Sequence, residues 1–441
     1  MPLRPTLVAA LAATCPLVAS PAALAAQGAA PPTEAALQRG VTAVLPKVVG
    51  WRRDLHAHPE LSNQETRTAK LVADHLRALG LEVRTGVGGH GVIGVLRGGR
   101  PGKTVALRAD MDALPVTEQV DLPFRSTVRA TFNGQDVGVM HACGHDLHVA
   151  MLMGTAEVLA GLKAELPGTV LFLFQPNEEG DPGKPSGAKA MLAAGAFANP
   201  KPDAVFGIHV GITPDEAGTL TWRANGFMAA ADYFRVVVRG RQVHGSTPWA
   251  GVDPIVAASM IVGGFQSIVS RQMNLTVGPA VVTVGALQGG VRNNIIPDSA
   301  VMIGTLRTFD PGMRTELHAR VRRTATSIAE SQGATAEVTI EEMTPVTAND
   351  PALTQRMVAT LGRVAGPQRV KEGRPVTGSE DFGYFAERVP GLFVFLGVRT
   401  PGSPESSFVS NHSPRFFADE AALPVGVRTL AALAVDFLGG R

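Results

Sequence analysis

The chain has 441 residues, with 40 Lys and Arg against 38 Asp and Glu and a formal net charge of +2. That near-balance, without a long basic run, argues against nucleic acid as a partner. A hydrophobic fraction of 45% and a charged fraction of 18% exclude a disordered chain, and the length exceeds what one hydrophobic core usually serves, so two domains are expected.

At the N-terminus, Arg4 precedes a charge-free apolar run from Thr6 to Ala26 that contains the small-residue triplet Ala23-Leu24-Ala25. The pattern predicts a cleavable signal peptide over residues 1–25 and a periplasmic or secreted protein. Pro16, Ser20 and Pro21 interrupt the run, which argues against a membrane anchor. Cleavage removes Cys15 and leaves Cys143 without an intrachain disulfide partner, even in an oxidising compartment.

A helical pattern follows around Glu65 to Leu79. Thr104 to Ala109, Thr169 to Phe174, Ala204 to Ile208 and Leu392 to Leu396 are short, nearly continuous apolar runs bounded by Gly, Pro or Asp, which suits strands buried on both faces. Helical patterns such as His148 to Leu162 and Lys189 to Ala194 lie between them. The alternation predicts an α/β fold with a mostly parallel sheet covered by helices.

From Ala229 to Glu342 the pattern changes to β-α-β-β-α-β: a strand at Tyr233 to Arg239, a helix opening at Asp253-Pro254, strands at Ala280 to Leu287 and Ala300 to Thr308, a helix opening at Asp310-Pro311, and a strand at Ala334 to Ile340. Asp as N-cap followed by Pro fits both helix starts. A split βαβ unit over 229–342, inserted between catalytic segments 34–228 and 343–441, is expected.

Chemistry-bearing residues follow the buried strands: Asp110 and Asp112, Glu178 and Glu179, His209, and His412 after a Gly/Pro/Ser loop. Ligands of open α/β sheets gather outside the carboxyl ends of the strands, so residues far apart in sequence can meet there. In Met140 to His148 (MHACGHDLH), Cys143 and His145 are two apart, which in an extended segment points both the same way. Thiolate, imidazole and carboxylate suit zinc, manganese, cobalt or nickel. Five such donors suggest two ions.

Ten segments occur in order: RRDLHAHPELS from Arg52, RADMDALPV from Arg108, MHACGHD from Met140, QPNEEG from Gln175, GIH from Gly207, VHGSTP from Val243, NNIIPD from Asn293, GTLRTFD from Gly304, GSEDF from Gly378 and NHSPRF from Asn411. Together they resemble the amidohydrolase branch of the dinuclear-metal aminoacylase and carboxypeptidase family, which includes hippurate hydrolase, auxin-conjugate hydrolases and N-acetyl-diaminopimelate deacetylase. The resemblance implies a zinc-peptidase-like catalytic domain and a ferredoxin-like inserted domain that serves as lid and dimerisation surface, making a homodimer. It implies metal ligation by Cys143, His145, Glu179, His209 and His412, with Glu178 as general base and Asp110 orienting a ligand. By the same resemblance His244, often from the partner subunit, stabilises the oxyanion, and Asn294 and Arg307 lie near the substrate carboxylate.

The implied reaction is hydrolysis of N-acyl or N-aroyl amino acids, hippurate-like amides among them, by attack of metal-bound hydroxide. A carboxypeptidase or dipeptidase acting on short peptides is the alternative within the same chemistry. A periplasmic binding protein that lost catalysis is disfavoured, because every residue the chemistry needs is present. The segment Asp181 to Gly187 (DPGKPSG), Leu147 and Val149 depart from the family pattern and leave substrate preference open. His56, His58, His141 and His148 belong to matched motifs without an assigned role.

Overall fold

A computed structural model describes residues 32–181 and 183–440, so the expected signal peptide lies outside the described residues. Twelve strands make its two larger sheets. In chain order they are β1 (Glu82–Thr85), β2 (Val92–Arg97), β3 (Arg100–Asp110), β4 (Pro167–Gln175), β5 (Ala204–Val210), β6 (Leu220–Trp222), β7 (Ala230–Arg239), β8 (Ala280–Gly289), β9 (Ser299–Thr308), β10 (Thr335–Thr344), β11 (Val370–Glu372) and β12 (Gly391–Leu396). The first sheet runs β1-β2-β4-β3-β5-β12-β6-β11.

Its four central strands, β4, β3, β5 and β12, are mutually parallel. They are the apolar runs read from the sequence. Period-two alternation sorts their side chains onto two faces. Val105, Leu107, Val170, Phe172 and Phe174 pack with Val48, Leu55, Leu152 and Leu430 from the helices Glu34–Ala57, His145–Gly161 and Leu423–Gly439. Ala106, Leu171 and Leu173 face the other way, into a layer containing Met191, Phe227, Phe382, Phe385 and Phe393. At roughly 1.5–3 kcal/mol per fully buried large side chain, these two layers are the main favourable term holding the strand ends in register.

The sheet is mixed toward its edges, where β2 pairs antiparallel with both β1 and β4 and β6 pairs antiparallel with β12. Three long helices went unpredicted, among them Pro351–Ala365, whose N-cap is Asp350. Pro46 interrupts the pattern of Glu34–Ala57. Leu423–Gly439 is buried nearly all round, so it lacks the amphipathic stripe by which surface helices announce themselves.

The second sheet has the order β8-β9-β7-β10 and is antiparallel throughout. Its own core, with Phe234, Val236, Ile261, Phe265, Met302, Leu306 and Leu317, lies beneath the helices Pro254–Ser267 and Pro311–Ser331. The Asp253 carboxylate accepts from Ile255 N and Val256 N and Asp310 accepts from Met313 N, so each helix starts at its Asp-Pro pair. β10 ends at Thr344, two residues past the expected limit of 342. Where the chain leaves and rejoins the first sheet, Asn225–Met228 pairs with Thr347–Asn349.

Candidate metal centre

Five side chains meet at the carboxyl ends of the central strands. His209 is on β5, Glu179 follows β4, and His412 lies in the loop after β12 with a left-handed φ of 68°. Cys143 and His145 arrive by a route that corrects the sequence expectation. The segment is not extended: Gly144, with φ 84°, turns the chain, and His145 is the first residue of the helix His145–Gly161. A Cβ at Gly144 would sit 2.3 Å from a Val210 methyl, so the turn needs glycine twice over.

Cys143 Sγ lies 3.5 Å from His209 Nε2, Glu179 Oε1 lies 3.2 Å from His412 Nε2 and 3.9 Å from His145 Nε2. Donor atoms of Cys143, His145 and His209, and of Cys143, Glu179 and His412, fall within 4.8 Å of one another. The arrangement forms two overlapping triads with Cys143 in both.

The surrounding contacts fix these donors. His145 Nδ1 donates to the backbone carbonyl of Asp112 at 2.8 Å, leaving Nε2 facing the cluster. Asp112 Oδ2 accepts from Glu179 N at 3.0 Å and from the Ser62 hydroxyl at 2.6 Å. Asn411 Nδ2 donates to the carbonyls of Cys143 and Val210, both at 3.1 Å. His148 Nε2 accepts from Val210 N at 2.9 Å, so its Nδ1 carries the proton held by Asp110 at 2.5 Å. Asp110 thus bonds a histidine outside the five, and its other oxygen stands 3.8 Å from His145 Nε2.

Sequence reasoning singled out Asp112 beside Asp110 without giving it a role, and it missed Arg108. Arg108 is buried and donates to Asp110, Glu380, Asp381 and Gln175. Its signal was a charged residue inside the apolar run Thr104 to Ala109.

Glu178 accepts no hydrogen bond among the described residues, and its carboxylate lies within 4.8 Å of those of Glu380 and Asp381 and of donor atoms of His145 and Glu179. Burial pushes its carboxyl well above the usual carboxylate range, and Glu380, Glu179 and Asp381 add to this. The five-donor set fits a cation on the protein's own evidence. His145 Nε2 and Glu179 Oε1 are buried with no hydrogen-bond partner, as is Asp112 Oδ1, and orphaned atoms of this kind cost about 1–3 kcal/mol each unless something satisfies them.

His244, Asn294 and Arg307 are elsewhere. His244 pairs with Ile295 in a two-stranded ribbon, and Gly245 N donates to the Asn294 carbonyl at 2.8 Å, so the first two are neighbours on exposed loops. Arg307 is on β9, half-buried, with Nη1 buried and unpartnered. No hydrogen bond or ion pair among the described residues joins the three to the cluster.

The chain is 42% identical over 392 residues to thermostable carboxypeptidase 2 of Saccharolobus solfataricus, covering 88% of this chain and 95% of the relative. It is 39% identical over 399 residues to N-acetylcysteine deacetylase of Bacillus subtilis, covering 89% and 97%. A crystal structure from Bacillus subtilis, described as a dinuclear metal binding peptidase from the M20 family, superposes with a TM-score of 0.75 at 36% identity, covering 90% of this chain and 99% of that one. The model of peptidase family M20/M25/M40 matches residues 106–436, a span that takes in every donor of the cluster, and the chain belongs to that family.

Proposed function

We propose that Cys143, His145, Glu179, His209 and His412 hold two divalent metal ions, and that the chain hydrolyses the amide bond of N-acyl or N-aroyl amino acids. One observation carries the reading: a thiol, three imidazoles and a carboxylate converge beside a second carboxylate, Glu178, that accepts no hydrogen bond among the described residues. The donor set suits zinc, manganese, cobalt or nickel. When bound, the ions polarise the scissile carbonyl and acidify water. Glu178 accepts a proton from the attacking water and delivers it to the leaving nitrogen, so the C–N bond breaks to a carboxylate and an amine. Its raised proton affinity suits both halves of that transfer.

Arg307 presents an unpaired guanidinium nitrogen to the substrate carboxylate, the group to which Asn294, beside His244 on the exposed loops, is also assigned. Its position on the second sheet makes that sheet a lid. His244 is exposed and unconnected to its own cluster, and it reaches the site of a partner subunit to steady the oxyanion. Val256 and Met260 on the helix Pro254–Ser267, and Val281 and Leu287 on the edge strand β8, leave apolar surface for a homodimer contact. The N-terminal signal would deliver the enzyme to the periplasm or beyond.

The amide substrate class is supported by the deacetylase relative. The carboxypeptidase relative favours a second reading, hydrolysis of short peptides. Comparing kcat/KM on hippurate-like amides and dipeptides separates them: higher values on dipeptides select the peptidase. Glu178→Gln is expected to keep both ions and lower kcat by about 10²- to 10⁴-fold. Wild-type turnover in that variant would remove Glu178 as the base.

A further inference from the structure

Glu178 and Glu179 sit on an irregular loop directly after β4, so something outside the strand must set their direction. Two buried carboxylates bind amides of this loop. Asp112 takes Glu179 N and belongs with the cluster above, whereas Glu65 takes Asn177 N at 2.8 Å and has no part in it so far.

Glu65 occupies the cap position of the helix Thr66–Ala78 but makes no side-chain cap bond. That task falls to Glu60, whose two oxygens accept from Arg67 N and Thr68 N, both at 2.8 Å. Glu65 is 0% exposed, and its Oε1 turns away from its own helix to receive Asn63 N at 3.0 Å together with Asn177 N. Its Oε2 is buried without a hydrogen-bond partner among the described residues, so Oε1 makes both of its bonds, and one of them crosses to the catalytic loop. Asn177 itself is left-handed at φ 53°. Its side chain donates to the Pro185 carbonyl and its own carbonyl accepts from Gly187 N, both at 2.9 Å. Asn177, the residue immediately before Glu178, is therefore fixed from three sides, with Glu65 holding its N–H.

We infer that Glu65 is a positioning residue for the hydrolysis: by holding the Asn177 amide it sets the direction in which Glu178 and Glu179 leave β4. This rests on Glu178 being the base. Two variants of the full-length, metal-loaded protein separate the anchor from bulk and charge. Glu65→Gln keeps an acceptor oxygen, while Glu65→Leu keeps comparable volume without one.

The expected result is kcat within about threefold of wild type for Gln and about 100-fold lower for Leu, with KM within about threefold, since small misplacements of catalytic groups cost on this scale. Hydrogen exchange at the Asn177 amide should accelerate in the Leu variant and stay slow in the Gln variant. A Leu variant with wild-type kcat, or a Gln variant that falls as far as Leu, would overturn the assignment. If the Leu variant does not fold, exchange in the wild-type protein decides, because an Asn177 amide as fast as an unbonded loop amide contradicts the anchor. Glu178→Gln assayed alongside keeps the two ideas apart: activity surviving there removes the base, while exchange at Asn177 still judges Glu65.

Discussion

Replacing Arg108 by methionine keeps much of the side chain's volume and deletes the guanidinium on which three buried carboxylates converge. Arg108 donates to Asp110 at 2.6 Å, to Glu380 and Asp381 at 2.9 Å each, and to Gln175 at 2.8 Å. Its relative exposure is 1%, and Asp110, Glu380 and Asp381 are equally buried. The carboxylates would retain other partners: His148 for Asp110, Phe382 N for Glu380, and Gln175 with Ala188 N for Asp381. The expected loss is therefore that of breaking one buried ionic group, about 3–5 kcal/mol, not a sum over three pairs.

The control is Arg97→Met, which removes a pair with Glu82 in which both side chains are more than half exposed, a change worth about 0–1 kcal/mol. Urea denaturation followed by tryptophan fluorescence is suitable, because Trp51 and Trp222 report on the first sheet and its helices. A cost for Arg108→Met no larger than for Arg97→Met would refute the view that this guanidinium neutralises the strand ends beneath the site.

His56 gives a pH-dependent prediction. Burial disfavours its charged ring, but Asp146 and Glu118, bonded at 2.8 and 3.0 Å, outweigh burial and the nearby Arg52 and raise its pKa to about 9; His141 is the other titratable group beside it. With a folded pKa above the unfolded value of about 6.5, the stabilisation is complete below that pH and disappears as pH rises through 9, an upper limit of about 3 kcal/mol. Unfolding free energies measured at pH 6.5 and 9 should therefore converge more for His56→Gln than for wild type; equal pH dependence in the two proteins would contradict this. Co-expressing His244→Ala with Glu178→Gln chains tests the shared site. Neither variant is active alone, and random pairing in a two-fold dimer should restore about a quarter of wild-type activity; no restoration would place His244 in its own chain's site.

Much of this centre was legible in the sequence because its donors follow apolar runs, and a parallel strand buried on both faces announces itself by composition. The Asp-Pro helix starts at Asp253 and Asp310 were plain because capping is a local event, although the same signal at Asp350-Pro351 went unread. What escaped depends on contacts distant in sequence. Glu65 reads as the opening of a helix until the Asn177 amide reaches it from far along the chain, and Arg108 as an oddity in a strand until Glu380 and Asp381 do the same. The meeting of Cys143 with His145 was foreseen with the wrong local geometry, because a left-handed glycine followed by a helix start does the work attributed to an extended strand. Leu423–Gly439 shows the reverse weakness: a helix enclosed by other elements has no polar face by which to be recognised.

The central claim is that one thiol, three imidazoles and a carboxylate together bind a pair of ions, and metal analysis of the purified protein addresses it directly. After loading with zinc or manganese and exhaustive dialysis, the wild-type chain should retain two equivalents, and Cys143→Ala, which removes the donor common to both triads, should retain at most one. A wild-type protein that retains no metal, or a Cys143→Ala variant that retains both equivalents, would contradict it.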